Sequence, residues 1–525
     1  MSGHSFLRHT LSHEEEMGLL DERTVSDVES EVSPIDVERR HRFKKPTMPK
    51  PSGLFNVSWD IVCLSQWRVL LVRSLVFLTP SFLQDRHARE QICPAKLSPT
   101  AYLDGMRGLA ALFVFFCHYS YQAFIIAEGW GCGETNYHFL KLPFIRIWYQ
   151  GPPAVCVFFV ISGYALSYRP LKLARSRAFS DFSTTMSSLI FRRGIRLYLP
   201  TIISTFMIIC LLRIGAYEWT RDFANDRTYM KNIVEPHPKR MESAYGQYRD
   251  WAIQMYKFVH VFGWDKFGGS TNYDVHLWTI PVEFRCSLYL FLVLIGTARL
   301  QTRFRFLFVG GIIWFTYRHS RWELLLFFFG MLLAEWDHIR GAHVVPTLPH
   351  DEKQSPQSRP LYKRLFWAFL SIVGLYLMCQ PDGRGEITPG WRYLSASIPS
   401  WWKEEKYRYW QSTGAIIFVL AVGYSKRWQQ FFNTPVVQYF GKISYAIYLM
   451  HGPAMHTVGY HWEKLAYRLT GVEGYWYNAG FVLGACFCVP TVIWWADIFW
   501  RAIDIPTVKF AKWFQQQCIV KDEEP

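Results

Sequence analysis

Long apolar runs, separated by shorter polar segments, dominate the chain from about residue 100 onward. A helix needs about 17–25 predominantly apolar residues to cross a hydrocarbon core of about 30 Å. Runs near that length lie at 107–127, 147–168, 197–215, 276–297, 304–318, 321–336, 362–379, 411–424, 436–457 and 475–499. They predict an all-α polytopic membrane protein with about ten transmembrane helices. The runs at 304–318, 321–336 and 411–424 are short, which implies tilt or partial re-entry. "WRVLLVRSLVFLTPSF", from Trp67, is broken by two arginines and reads as an interfacial amphipathic segment. The expected organisation is a disordered polar arm (1–60), an interfacial segment (61–98), a membrane domain (99–500) and a tail (501–525). No internal repeat of the inverted-transporter kind is visible.

Charge between the runs sets the orientation. "YRPLKLARSRAFSDFSTTMSSLIFRRGIR" holds seven Arg or Lys and one acid, Asp181. Under the positive-inside rule this short loop is cytosolic. "ARLQTRFR", "SKRW" and the Lys509/Lys512 tail fall on the same side if the spans alternate. Both termini are then cytosolic. The charge-balanced 217–274 segment falls on the outer or lumenal side and is long enough to form a cap.

Composition agrees with two membrane interfaces: 18% of the 525 residues are Phe, Trp or Tyr. The mean hydropathy of +0.02 averages polar segments with apolar runs, so the runs decide. The formal net charge of +15 flanks apolar spans and forms no soluble basic domain, which argues against nucleic acid as a partner. The eleven cysteines show no CxxC pair or metal-type spacing. Cys117, Cys156, Cys210, Cys486 and Cys488 lie in apolar runs and read as small buried hydrophobes. No metal or tightly bound cofactor is expected.

Ionisable residues inside apolar runs are costly and usually face a cavity or a partner. In "YLDGMRGLAALFVFFCHYSYQAF", Arg107 and His118 are eleven residues apart. That spacing is three turns plus about 20°, so they share a helix face about 16 Å apart. Asp104 lies one turn before Arg107. Asp104 and Arg107 are expected at the cytosolic interface and His118 near mid-bilayer, on one polar line. Arg107 also suits a simple interface anchor, and His118 a packing histidine. Glu283, after Pro281 in "HLWTIPVEFRCSLYLF", needs a partner; Arg285 and His118 are the candidates. His451 stands at intermediate depth in "ISYAIYLMHGPAMH", with His456 nearer the outer end. Ser162 and Tyr164 sit in "FFVISGYALSY", where small residues also permit close helix packing. Arg192, Arg193 and Arg196 open the third run; they are positive-inside anchors or a clamp for a phosphate-bearing cytosolic ligand.

"LDGMRGLAALFVFFCH" resembles the opening helix of the acyltransferase 3 family, including its Arg-x10-His signature. "VFFVISGYALS", "FRRGIRLYLP", "LWTIPVEFRCSLY" and "ISYAIYLMHGP" follow in the family's order. The resemblance covers about 99–500 and is nearest to the filamentous-fungal members. It implies transfer of an acyl group, acetyl in the first place, from cytosolic acyl-CoA to a hydroxyl of a carbohydrate, lipid or secondary metabolite. It implies His118 as catalytic histidine, Arg107 as its motif partner, and Arg192, Arg193 and Glu283 along the donor or acceptor path. Ser162, Tyr164, Trp278 and His451 match more loosely. Acyl-CoA is then a co-substrate, the bilayer a partner, and the location endomembrane or plasma membrane. Acyl transfer needs a base for the hydroxyl proton, which His118 can supply as general base, or His118 can carry the acyl group itself. The competing reading is a proton-coupled transporter using the same His and Glu residues.

Overall fold

The computed structural model describes residues 75–84, 97–134, 136–260, 269–343 and 360–520. The expected 1–60 arm lies outside them, as does most of 61–98. The chain divides into two units, one of residues 22–96 and one of the remainder. In the first, the described Leu75, Val76, Phe77 and Leu78 form one exposed apolar helical turn.

The second unit is all-α among the described residues. Each of the ten predicted runs is helical over most of its length. The helices are α1 (Ala101–Ala123), α2 (Gly151–Arg175), α3 (Phe179–Arg213), α4 (Glu218–Asn225), α5 (Ala244–Val259), α6 (Thr279–Thr297), α7 (Thr302–Arg318) and α8 (Trp322–Ile339). There follow α9 (Leu361–Met378), α10 (Arg392–Ala396), α11 (Arg408–Tyr424), α12 (Lys426–Phe432), α13 (Pro435–Ala454), α14 (Tyr460–Thr470), α15 (Gly474–Phe499) and α16 (Ile505–Cys518). Among the described residues, five segments are long and apolar enough to cross a membrane: Gly151–Arg175, Phe179–Arg213, Val275–Thr297, Leu361–Met378 and Gly474–Cys518.

Helix α1 is central: it packs along α13 and α2, and α2 in turn packs on α8 and α11. The α1–α13 seam is unusually close. A Cβ on Gly441 would stand 2.7 Å from the Asp104 carbonyl oxygen, and one on Gly108 would collide with the Gly441 backbone. Glycine at these positions lets two backbones touch, as small residues do at membrane helix crossings. The tail is helical in α16, which packs against α3.

Two expectations change. Helix α1 starts at Ala101 and stops at Ala123, where Phe124 turns extended. His118 is therefore five residues from the helix end, because the run's last residues leave the helix. Cys117, Cys156 and Cys488 are buried as expected, but Cys210 and Cys486 are exposed. They face away from the bundle, where an apolar run needs no protein neighbour if lipid covers it.

Within the 217–274 segment, α5 packs on α3 and α4 on α14. Tyr217 and Tyr273 join Ile208, Ile209 and Leu212 of α3 in one apolar cluster, with Trp251 against it.

Because α1 and α13 carry the two central histidines, their seam sets the site. Gly108→Leu is expected to cost at least about 1–3 kcal/mol by overpacking. A lowered melting temperature of the detergent-solubilised protein would register it, and an unchanged one would refute the close seam.

Candidate active site

Four chain segments meet at the end of α1 that carries His118. One is α1 itself. The second is the 226–243 segment, with Glu235 and His237. The third is the short 3-10 turn Val275–Trp278 before α6. The fourth is the end of α13, with His451, continued by the π turn Met455–Gly459 that carries His456. π turns commonly mark functional positions.

Glu235 is the hub, only 4% exposed. Its Oε1 accepts from His276 Nε2 at 2.8 Å and lies 3.6 Å from His118 Nδ1. Its Oε2 accepts from His456 Nε2 at 2.8 Å and from Gln122 Nε2 at 3.0 Å. Gln122 is fixed in turn by Tyr460, whose hydroxyl donates to Oε1 at 2.6 Å. Burial alone would raise this carboxyl. The His276 charge, the hydrogen bonds from His276 and His456 and the nearby His118 ring outweigh it and hold Glu235 well below the usual carboxylate range.

Asp274 places His276. Its Oδ1 caps the 3-10 turn by accepting from the His276 backbone N–H at 2.9 Å. The same oxygen accepts from His276 Nδ1 at 2.7 Å. Both ring nitrogens of His276 thus meet carboxylates, and both donate. Tyr448 donates to the His276 carbonyl and accepts from Thr279 Oγ1 at 2.6 Å. Gly452 makes room, since a Cβ there would stand 2.9 Å from His276 Nδ1 and 3.1 Å from Asp274 Oδ2.

His451 is fully buried, its ring stacked on His118 with centroids 5.2 Å apart. Its Nδ1 donates to the Ile447 carbonyl at 3.1 Å, which leaves Nε2 as a lone pair with no partner. His118 Nδ1 is also buried, while its side chain keeps 19% of its surface accessible. The open part of that ring therefore excludes Nδ1.

His118, His276 and His451 bring one nitrogen each to within 4.8 Å of one another. A tetrahedral zinc with bonds of about 2.0–2.1 Å needs nitrogens about 3.4 Å apart. Both nitrogens of His276 are moreover engaged by carboxylates. The arrangement suits proton handling better than metal ligation.

The other sequence-predicted residues form separate groups. Arg107 donates to Ser444 Oγ at 3.0 Å and to the Gly441 carbonyl at 3.4 Å, and lies 3.6 Å from Asp104. The charges of Arg107 and Arg196 both bear on Asp504, in the turn Trp500–Asp504 after α15. Glu283 pairs with neither Arg285 nor His118. Its Oε1 accepts from Arg193 Nη2 at 2.7 Å and from Ser162 Oγ at 3.0 Å. Arg285, two residues on, points to another face of α6, and Arg193 arrives from α3. Arg192 turns away from that group: it donates to the Ser188 hydroxyl and carbonyl, and Ser188 ties to Gln515 of α16 at 2.9 Å. Tyr164 belongs to a further cluster, donating to Asp337 at 2.9 Å beside His343. Trp278 lies 5.8 Å from the Arg408 guanidinium.

Sequence reasoning found His118 and His451 but missed Glu235, Asp274, His276 and His237. His276 and Asp274 stood at the mouth of a predicted span in "DVHLW", an Asp-x-His pair whose capping geometry was a usable signal.

The site is an imidazole cluster around one buried carboxylate, enclosed by the helices of the bundle. The chain belongs to the acyltransferase 3 family: the family model, described as an acyltransferase domain, matches residues 100–501. It is similar to the O-acetyltransferase PaAT-1 of Phomopsis amygdali, 31% identical over 86% of this chain and 90% of that protein. It is also similar to the acyltransferase clz18 of Cochliobolus lunatus, 24% identical over 81% of this chain and 97% of that one. No solved structure matches the chain.

Two outcomes follow from the hub and its packing. Gly452→Ala is expected to displace His276 and Asp274 and reduce turnover by about 10-fold or more, since sub-ångström misplacement is costly in catalysis. Full activity in an acyl-transfer assay would contradict that. Glu235 has a depressed folded-state pKa against an unfolded value of about 4.3. Its stabilisation is present above that pH and is lost as pH falls through the folded value. Melting temperature should therefore fall below about pH 4. Glu235→Gln should lack this component in the same melting series.

Proposed function

We propose that this chain is a polytopic membrane O-acyltransferase that moves an acyl group, acetyl in the first place, from acyl-CoA to a hydroxyl of a carbohydrate, lipid or secondary metabolite. The carrying observation is His118 Nδ1 facing the ionised Glu235 carboxylate at 3.6 Å, with the accessible part of the ring on the other side. The printed name of the Phomopsis amygdali relative, an O-acetyltransferase, supports hydroxyl acetylation.

In this reading His118 takes the proton of the attacking hydroxyl, and Glu235 stabilises the imidazolium as it forms. The hydroxyl oxygen bonds to the thioester carbonyl carbon, the C–S bond breaks, and the proton ends on the departing CoA sulfur. Nothing is oxidised or reduced. Arg107 and Arg196 lie at the opposite end of α1 and offer positive charge to the phosphates of the donor. Arg193, Glu283 and Ser162 line the path between the two ends. Arg192 acts through Ser188 as a brace between α3 and α16, with Asp104 positioning Arg107. Tyr164 and Trp278 stand as outer contacts of the path, and His451 as a contact for the reacting groups.

The topology that fits is about ten spans with both termini cytosolic, in an endomembrane or the plasma membrane. The shorter helices α7, α8 and α11 cross at a tilt within the bundle. The arm, the interfacial segment and the tail remain on the cytosolic side, and nucleic acid is not a partner.

His118→Ala is expected to lower transfer of label from acetyl-CoA by about 10²–10⁴-fold, the usual worth of a positioned general base. The acceptor pool is an organic extract of a strain lacking the protein. Folding is checked by melting temperature. Undiminished transfer by the folded variant would sink the assignment of His118.

A further inference from the structure

Glu235 has two carboxylate oxygens, and the second leads away from His118. Oε2 meets His456 Nε2 at 2.8 Å. His456 Nδ1 lies 3.0 Å from His237 Nδ1. His237 Nε2 lies 2.8 Å from the Tyr217 carbonyl. Both histidines are buried. They come from different segments: His456 from the π turn after α13, His237 from the 226–243 segment.

Counting hydrogens fixes the state of this pair. A carbonyl only accepts, so His237 Nε2 carries a hydrogen. The Nδ1···Nδ1 contact needs one hydrogen, and the His456–Glu235 contact needs a third. Two neutral imidazoles carry two. Glu235 accepts on both oxygens and is held ionised, so it does not supply the missing one. The two rings together therefore carry one proton more than a neutral pair. Burial, then the charge of His456, pushes His237 down to about 3, so His237 is the neutral member. Arg221, which touches the His237 carbonyl, is itself neutralised by Glu218 at 2.5 and 2.6 Å.

The charges then sum to zero. Asp274 and Glu235 contribute two negative charges; His276 and the His456–His237 pair contribute two positive ones. A buried ionic group is tolerable only when paired and hydrogen-bonded in this way.

We propose that the His456–His237 pair, acting as a singly charged unit, is a positioning device for acyl transfer. It neutralises Oε2 of Glu235 and so aims Oε1 at His118 and His276. The proposal rests on the acyltransferase reading above. It makes the 226–243 segment part of the reaction centre rather than a cover over it.

Two substitutions at His237 separate positioning from packing. His237→Gln keeps both bonds, because its amide N–H can donate to Tyr217 and its oxygen can accept from His456. His237→Leu keeps the volume and neither bond. Both are compared with the unaltered full-length protein, using labelled acetyl-CoA and the organic extract as acceptor pool. The Leu variant is expected to lose about 10-fold or more in kcat, with KM for acetyl-CoA within about 2-fold, as for loss of an interaction made in the transition state. The Gln variant should return to within about 3-fold of the unaltered enzyme. A folded Leu variant with full kcat, or equal losses in Leu and Gln, would overturn the proposal. If the Leu variant fails to fold, His456→Gln carries the test: it removes the charge and is expected to lose kcat similarly, and full activity would refute the pair's role. Inactivity of the unaltered protein would instead refute the acyltransferase reading itself.

Discussion

One buried carboxylate, Glu235, holds the centre of this molecule together. An ionised group removed from water is costly unless charge and hydrogen bonds surround it. Glu235 meets that demand with four side chains from three other parts of the chain: His118 and Gln122 on α1, His276 before α6, and His456 after α13. Removing any one leaves a deficit that the apolar surroundings cannot fill. The helices are therefore tied at this end by charge, as they are elsewhere by packing. The close α1–α13 seam through Gly108 and Gly441 serves the same end, because it fixes His118 relative to His451.

The helices were legible because an apolar run of span length has few alternatives. His118 and His451 were legible for the converse reason, since a histidine in such a run is an exception that needs a cause. Glu235 and His237 were not. They lie in a polar segment where carboxylates and histidines are ordinary, and only the fold reveals that the segment is driven into the bundle. The outer end of the first run was misjudged because hydropathy does not mark where a helix stops. The partner of Glu283 was misjudged because it stands 90 residues away on α3, and helix periodicity relates only residues of one helix.

Two of the polar groups, the histidine cluster and the Glu283 group, are joined through backbone and hydroxyl contacts. Thr279 is the link. Its hydroxyl donates to Tyr448, which donates to the carbonyl of His276 in the histidine cluster. One helical turn further along α6 stands Glu283, bound to Arg193 and Ser162. A shift of α6 is thus felt at both groups. This coupling gives a physical reason why side chains drawn from five helices hold one arrangement.

The two groups also differ in kind. The Arg193–Glu283–Ser162 group is a short ion pair with a neutral donor, and its side chains keep partial exposure of 10% and 25% for the charged members. Such a pair can open to admit a ligand without leaving a charge stranded in apolar surroundings. The Glu235 cluster cannot, because its carboxylate is 2% exposed and each contact balances another. Rigidity is therefore concentrated at the histidine cluster, and adaptability at the Arg193–Glu283 pair. A single helix face with evenly spaced ionisable groups would offer neither separation. The fold obtains it by bringing the carboxylate from outside the membrane-length helices and leaving the arginines on them.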